Sequence, residues 1–219
     1  MKRVLAVIFA LVVSLSCVGC SMLYDLEPDA INGCLSVGYS KILNDAYVGR
    51  YEWDGTLQGQ NIVVPEEYNG IPITAFGGYS GRGYPSSFAI IFNDEAKEML
   101  CPGATQWGAY SGIHRLENYE LNYLDFNIHI SKNIETIESL SLGGYIVAEC
   151  ESEEATAYVV YVLRCYVTCD ENNEFFYAKD GKLYNKNNDV VVDDIIYMDF
   201  DVEQDIIESE GDSVGASVF

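Results

Sequence analysis

The stretch Ile62 to Gly78, "IVVPEEYNGIPITAFGG", restricts the possible fold more than any other part of the chain. Ile62, Val63 and Val64 are β-branched, and their stiff side chains favour extended backbone. Pro65 ends the run because proline has no N–H to give a ladder. Asn69-Gly70 is a residue pair suited to a turn with positive φ, after which an apolar run resumes at Ile71. Pro72 inside that run leaves one side unpaired, at an edge or sheet boundary. Ile73 and Phe76 then aim at a core before Gly77-Gly78 loosens the backbone. The stretch predicts a strand, a corner and a second short strand.

Further along, β signals dominate. In "YELNYLDFNIHIS", Phe126, Ile128 and Ile130 alternate with Asn127 and His129, the period of a half-buried strand. "AYVVYVLRCYVTC" follows the acidic "ECESEE" and is too β-branched and aromatic for a preferred helix, although Ala155, Tyr158, Val159 and Val162 also fit a helical stripe. In "FFYAKDGKLYNKNNDVVVDDIIY", Asp180-Gly181 has the chemistry of a type I′ hairpin, and Asn187-Asn188-Asp189 offers a second turn before Val190 to Val192. A meander follows. Helical signals are sparse. The best is "NDEAKEMLCPG", where Asn93 or Asp94 can cap, acids fill the first turn and Pro102-Gly103 stops a helix of about two turns.

The N-terminus reads as an export signal. Lys2-Arg3 precedes an apolar run of 12 residues, Val4 to Leu15, and small residues follow. That run is too short to span a bilayer, which takes about 20 apolar residues. "CVGC", Cys17 to Cys20, resembles the lipobox of bacterial lipoproteins, with Cys17 standing where leucine is usual. The resemblance implies lipidation at Cys20 and a mature chain beginning there; the alternative is an ordinary cleaved signal. Two acyl chains satisfy the requirement for stable anchoring. The expected partner on this side is therefore the membrane, through a lipid anchor at its outer face.

The chain carries a net charge of −22, or −24 once Lys2 and Arg3 are removed. Such a surface repels nucleic acid and anionic headgroups, so no nucleic-acid partner is expected. Five cysteines remain beyond Cys20, and an odd count argues against a tidy disulfide framework. If Cys165 and Cys169 share one strand, their Cα atoms lie about 13 Å apart, beyond the bridging limit of about 7 Å. Buried free thiols are the plain expectation.

The opening unit resembles the BspA-type leucine-rich repeats of bacterial surface proteins, whose pattern runs from a β-run and "IP" through "YNG" to "PVTSIG". "FNIHISKNIETIES" is a second echo, with Ser131 in place of proline. "VTCDENNEFFYAKDGKLYNKNND" is a third, with Glu174 in place of a frequent proline. The family's "AFxGCxxL" portion is missing after Phe76 and after Ile137, and residues 79–123 show no repeat. The resemblance implies a mainly β fold, a degenerate leucine-rich-repeat-like solenoid or meander with few short helices. Its parts are a signal at 1–19, a lipidated tether at 20–32, a repeat-like domain at 33–198 with an insertion at about 79–123, and an acidic tail at 199–219. It also implies a non-enzymatic module that binds protein or glycan at the cell surface.

Catalytic patterns are missing from the sequence: it holds no H-E-x-x-H, G-x-S-x-G, S-x-x-K or Walker motif. His129 falls on a solvated strand face by its alternation, and His114 in a loop. No metal site is expected at Cys150, Cys165 and Cys169, which lack zinc-ligand spacing, and no cofactor is expected. The acids Asp199, Asp201, Glu203 and Asp205 could offer oxygens to calcium, but without the EF-hand order they read as a solvated edge. The alternative function is an extracytoplasmic enzyme acting on glycans, which would need paired carboxylates about 5–10 Å apart. The most suggestive surface is "FGGYSGRGYPSSF", where mobile glycines surround Tyr79, Arg82 and Tyr84, residue types found at binding hot spots. The competing reading is a structural loop.

Overall fold

A computed structural model describes residues 25–77, 89–110, 119–137, 144–151, 156–192 and 195–199. Its strands are β1 (Asp25–Ile31), β2 (Leu35–Ser40), β3 (Asp45–Trp53), β4 (Asn61–Val63), β5 (Glu67–Tyr68), β6 (Ile71–Phe76), β7 (Ala89–Phe92) and β8 (Gln106–Tyr110). They continue with β9 (Tyr119–Ile130), β10 (Thr136–Ile137), β11 (Gly144–Glu151), β12 (Thr156–Cys169), β13 (Phe176–Lys179), β14 (Lys182–Asn185) and β15 (Val190–Val191). Among the described residues the one α-helix, α1 (Asp94–Leu100), begins where the sequence places it. The Asn93 side chain accepts the Ala96 N–H at 2.8 Å, and Asp94 and Glu95 occupy the first turn. The fold is mainly β.

Two large sheets enclose the core, and a three-stranded meander, β13-β14-β15, adds Phe176 and Leu183 to it. The first runs β1-β2-β3-β6-β10, with β5 on β6 and β7 on β3, and the second runs β4-β9-β12-β11-β8. Their inner faces meet through aromatic rings. Trp53 of β3 sits 5.2 Å from Phe92 of β7 and 5.5 Å from Phe126 of β9, edge to face in both cases. Phe92 also approaches Trp107 of β8 and Tyr161 of β12, whose own rings stack at 5.8 Å. Such large rings bury much apolar area and fix the relative placement of the sheets.

The three sequence echoes lie as adjacent rungs. Ile62 of β4, Ile128 of β9 and Val167 of β12 are parallel partners in one ladder. A fourth rung follows where Cys165 bridges Tyr197, also in parallel. After each corner the chain forms a second strand, and β6 pairs in parallel with β10 through Ala75–Thr136 and Phe76–Ile137. The corners stack too. The Ser131 hydroxyl donates to the Pro65 carbonyl at 3.2 Å, and the Asp170 N–H donates to Ile130 O at 2.9 Å. Asn173, buried to 1% exposure, closes the stack: its amide donates to Ser131 O and Ile134 O, each at 2.9 Å, while its oxygen accepts the N–H groups of Phe175 and Phe176.

Turn chemistry places the hairpins. Asn69-Gly70 and Asp180-Gly181 both have positive φ at both positions, as type I′ turns require. Pro72 pairs only with Glu67 of β5, consistent with its missing donor. The segment expected to be an insertion is woven into both sheets, since β7 extends along β3 and β8 along β11. Among the described residues, β1 (Asp25–Ile31) pairs with β2, within the stretch read as a tether. Asp25, Leu26 and Glu27 of this edge strand are exposed, which is why no buried pattern announced it. Cys165 and Cys169 do share β12.

Candidate functional site

The second sheet has two differently used faces. Along β9, Phe126, Ile128 and Ile130 turn into the core, and along β12 so do Tyr161, Leu163, Cys165 and Val167. The intervening residues face outward. The uninterrupted parallel register of β9 with β12 sorts them into rows: Val63, His129 and Thr168; then Asn61, Asn127 and Tyr166; then Asp125 and Arg164. Tyr123 beside Val162 continues the series toward a small apolar cluster of Val147, Val160 and Val162, against which Tyr119, Leu121, Tyr145 and Tyr158 pack.

Each polar row is tied across the strands. His129 Nδ1 lies 3.0 Å from the Thr168 hydroxyl. The Asn127 amide donates to Asn61 Oδ1 at 3.0 Å. Arg164 grips Asp125 with Nε and Nη2 at 2.7 and 2.9 Å, a planar two-point pair. The same guanidinium lies 4.3 Å from the centre of the Tyr123 ring, within cation–π range. Tyr123 and Tyr166 each keep 41% of their surface in water. About 13 Å of strand separates their levels, from four residues at about 3.3 Å. Tyr166 is also braced from the side, because a Cβ at Gly181 would fall 2.4 Å from its ring. These rows are therefore aromatic at two points, and the charges of Asp125 and Arg164 balance each other within an acidic protein.

Asn61 and Val63 also border a cleft of about 640 Å³. Tyr51, Leu35 and Ile62 form its floor, and Asn32, Asp54, Thr56 and Gln58 stand at its rim. Asp54 accepts both the N–H and the hydroxyl of Thr56, and these bonds hold its carboxyl below the usual range. The Tyr51 hydroxyl donates to Gly59 O at 2.6 Å, while burial, with Cys34 adding, pushes that phenol up. Among the described residues lining the cleft, Asp54 is the sole carboxylate.

The loop residues Tyr79, Arg82 and Tyr84 lie outside the described residues, as do Cys20, His114, Asp201, Glu203 and Asp205. Asp199 is described and pairs with Lys182 at 2.5 Å. No group of three metal-binding side chains occurs among the described residues. Sequence reading placed His129 on an outward face but did not join it to Tyr123, Arg164 and Tyr166. The signal was available: the even-numbered residues of "YVVYVLRCYVTC" carry Arg164, Tyr166 and Thr168 on one side.

The geometry defines a class of protein, a mainly β chain in which β4, β9 and β12 stack as parallel rungs beneath an outward polar and aromatic face. No protein-family model and no curated protein matches the chain. It is similar to a solved leucine-rich repeat protein from Eubacterium ventriosum, at 14% identity over 73% of this chain and 48% of that one, so it spans about half that protein's length. The TM-score is 0.17, at which the likeness carries no argument about fold or function.

Proposed function

We propose that this chain is a non-enzymatic lipoprotein of the bacterial cell surface, related in its repeats to the BspA type, whose outer sheet face binds glycan or protein. The observation that carries this reading is the row-by-row bracing of the face. Arg164 is held between Asp125 and Tyr123, and Asn127 is held by Asn61, so their planar groups are already fixed before a ligand arrives. Two exposed tyrosines frame these groups and offer flat apolar surface for a sugar ring or a side chain. A neutral glycan suits a face whose one ion pair is internally balanced, in a chain of net charge −22. A protein partner is favoured by the arginine and tyrosine content, which is typical of hot spots.

The test is a titration of the mature protein with neutral wall polysaccharide fragments and, separately, with isolated surface proteins. Tyr123→Ala with Tyr166→Ala should weaken binding at least tenfold, about 1.4 kcal/mol, while the far-UV circular dichroism of the folded protein is retained. If Arg82→Ala with Tyr84→Ala removes binding and the face variant does not, the glycine-rich loop carries the function instead.

A further inference from the structure

Cys101 and Cys150 are 49 positions apart in sequence, yet their Sγ atoms lie 3.0 Å apart. The backbone on both sides is pinned. Cys101 ends α1, its N–H bonded to Lys97 O at 3.0 Å and its carbonyl accepting the Ala104 N–H at 3.2 Å. Just before it, Leu100 O accepts the Tyr161 hydroxyl at 2.8 Å. Just after it, Thr105 reaches the Glu149 carbonyl with its N–H at 2.8 Å and its hydroxyl at 3.0 Å. Cys150 follows Glu149 on β11, in register with Ala157 of β12. Two thiols so placed need only a small movement to reach a bonded S–S distance of about 2.05 Å.

We infer that Cys101 and Cys150 form a disulfide site, a covalent clasp that joins the end of α1 to β11. The inference rests on the export reading only for where the oxidant is met, since disulfides form and persist outside the cytoplasm. The oxidant is of the thiol–disulfide exchange class. One cysteine thiolate attacks its disulfide, breaking that S–S bond and releasing one sulfur as a thiol. The second cysteine then attacks the mixed disulfide, forming the Cys101–Cys150 bond and releasing the other sulfur. Two electrons pass to the oxidant, and the two cysteine protons end on its sulfurs.

The surroundings favour a lasting clasp over a switch. Burial, with Cys150 and Glu120 adding, pushes the Cys101 thiol up to about 11. A reductant that attacks Cys150 Sγ must expel Cys101 as a sulfur of high pKa, a poor leaving group, so reduction by that route is slow. The clasp also closes a loop holding β8, β9 and β10, which removes freedom from the unfolded chain.

The experiment uses the reduced, purified full-length protein and oxidised glutathione as the probe. Peptide mapping without reduction should find Cys101 joined to Cys150 as the main product, and oxidation should raise the melting temperature by about 10 °C. In Cys150→Ser the same treatment should produce no rise. Glutathione retained on one cysteine, or both cysteines still open to alkylation, would overturn the inference. None of these readings depends on where the protein resides. Cell fractionation reports export separately, so failure of one reading cannot pass for failure of the other.

Discussion

Removing the Asn173 side chain tests whether the corner stack holds the rungs together. All four hydrogen-bonding positions of its amide are used, two donated to Ser131 O and Ile134 O and two accepted from the N–H groups of Phe175 and Phe176. Asn173→Ala deletes all four, at about 1 kcal/mol net each, for a loss near 4 kcal/mol. That is a large share of the 5–15 kcal/mol typical of a domain. Asn173→Asp separates the two halves of the network: it keeps the acceptors and turns oxygen toward two carbonyls. When protonated, the new carboxyl regains one donor. Burial raises its pKa above the unfolded value, so the stability it supplies is present at low pH and lost as pH rises through the folded pKa. Urea denaturation at pH 4 and pH 7, each referred to the parent protein, should show Asn173→Asp closer to the parent at pH 4. A loss under about 1 kcal/mol for Asn173→Ala, with no pH dependence for Asn173→Asp, would refute the reasoning.

Three further outcomes are expected. Gly181→Val places a β-branched residue at φ +77 and drives its Cβ into the Tyr166 ring. Thermal melts should show a drop of about 10 °C, from strain and displacement of about 3 kcal/mol together; an unchanged midpoint would mean that the hairpin tip does not sit there. Burial, with Asp125 adding, pushes the Cys165 thiol from about 9 up to about 12, so the folded state holds its proton longer than the unfolded state. Stability is then full below about pH 9 and lost as pH rises toward 12, and Cys165→Ala should flatten that alkaline fall in denaturation curves taken across the window. Cys20→Ala should abolish lipid attachment, and wild-type protein recovered from culture fluid with an unmodified N-terminus would disprove the anchor.

Local chemistry explains which parts of the fold were legible. Asn69-Gly70, Asp180-Gly181 and the Asn93 cap each act over a few residues, and each lies where its residue types demand. Strand β12 was legible because β-branched and aromatic residues outweigh its partial helical stripe. Asn32-Gly33 carried the same turn signal, with φ of 54 and 72, but the stretch at 20–32 read as a tether, and the exposed residues of β1 gave no buried pattern to counter it. The approach of Cys101 to Cys150 leaves no trace in spacing, since it depends on the register of β8, β11 and β12. The outward face was half legible. Alternation indicates which residues of one strand point out, whereas the pairing of Arg164 with Asp125 is a fact about two strands.

The parallel ladder has a consequence for the order in which the chain can acquire its shape. Arg164 meets Asp125 across 39 positions of sequence, and Asn127 meets Asn61 across 66. Contacts so distant are rewarded only after a long loop has closed, which places such topologies among the slower folders, in milliseconds to seconds. The hairpin at Asp180-Gly181 is local and can close within about 1–10 μs. A chain emerging from its N-terminus must therefore hold β9, paired on one side with β4, with its other edge open until β12 arrives, late in synthesis. Meanwhile "AYVVYVLRCYVTC", with one charge and strong strand preference, is the kind of segment that pairs with a copy of itself. Refolding yield should accordingly fall as protein concentration rises, a dependence that light scattering would reveal. A protein built this way relies on its surroundings to keep molecules apart until the last third of the sequence is free to close the sheet.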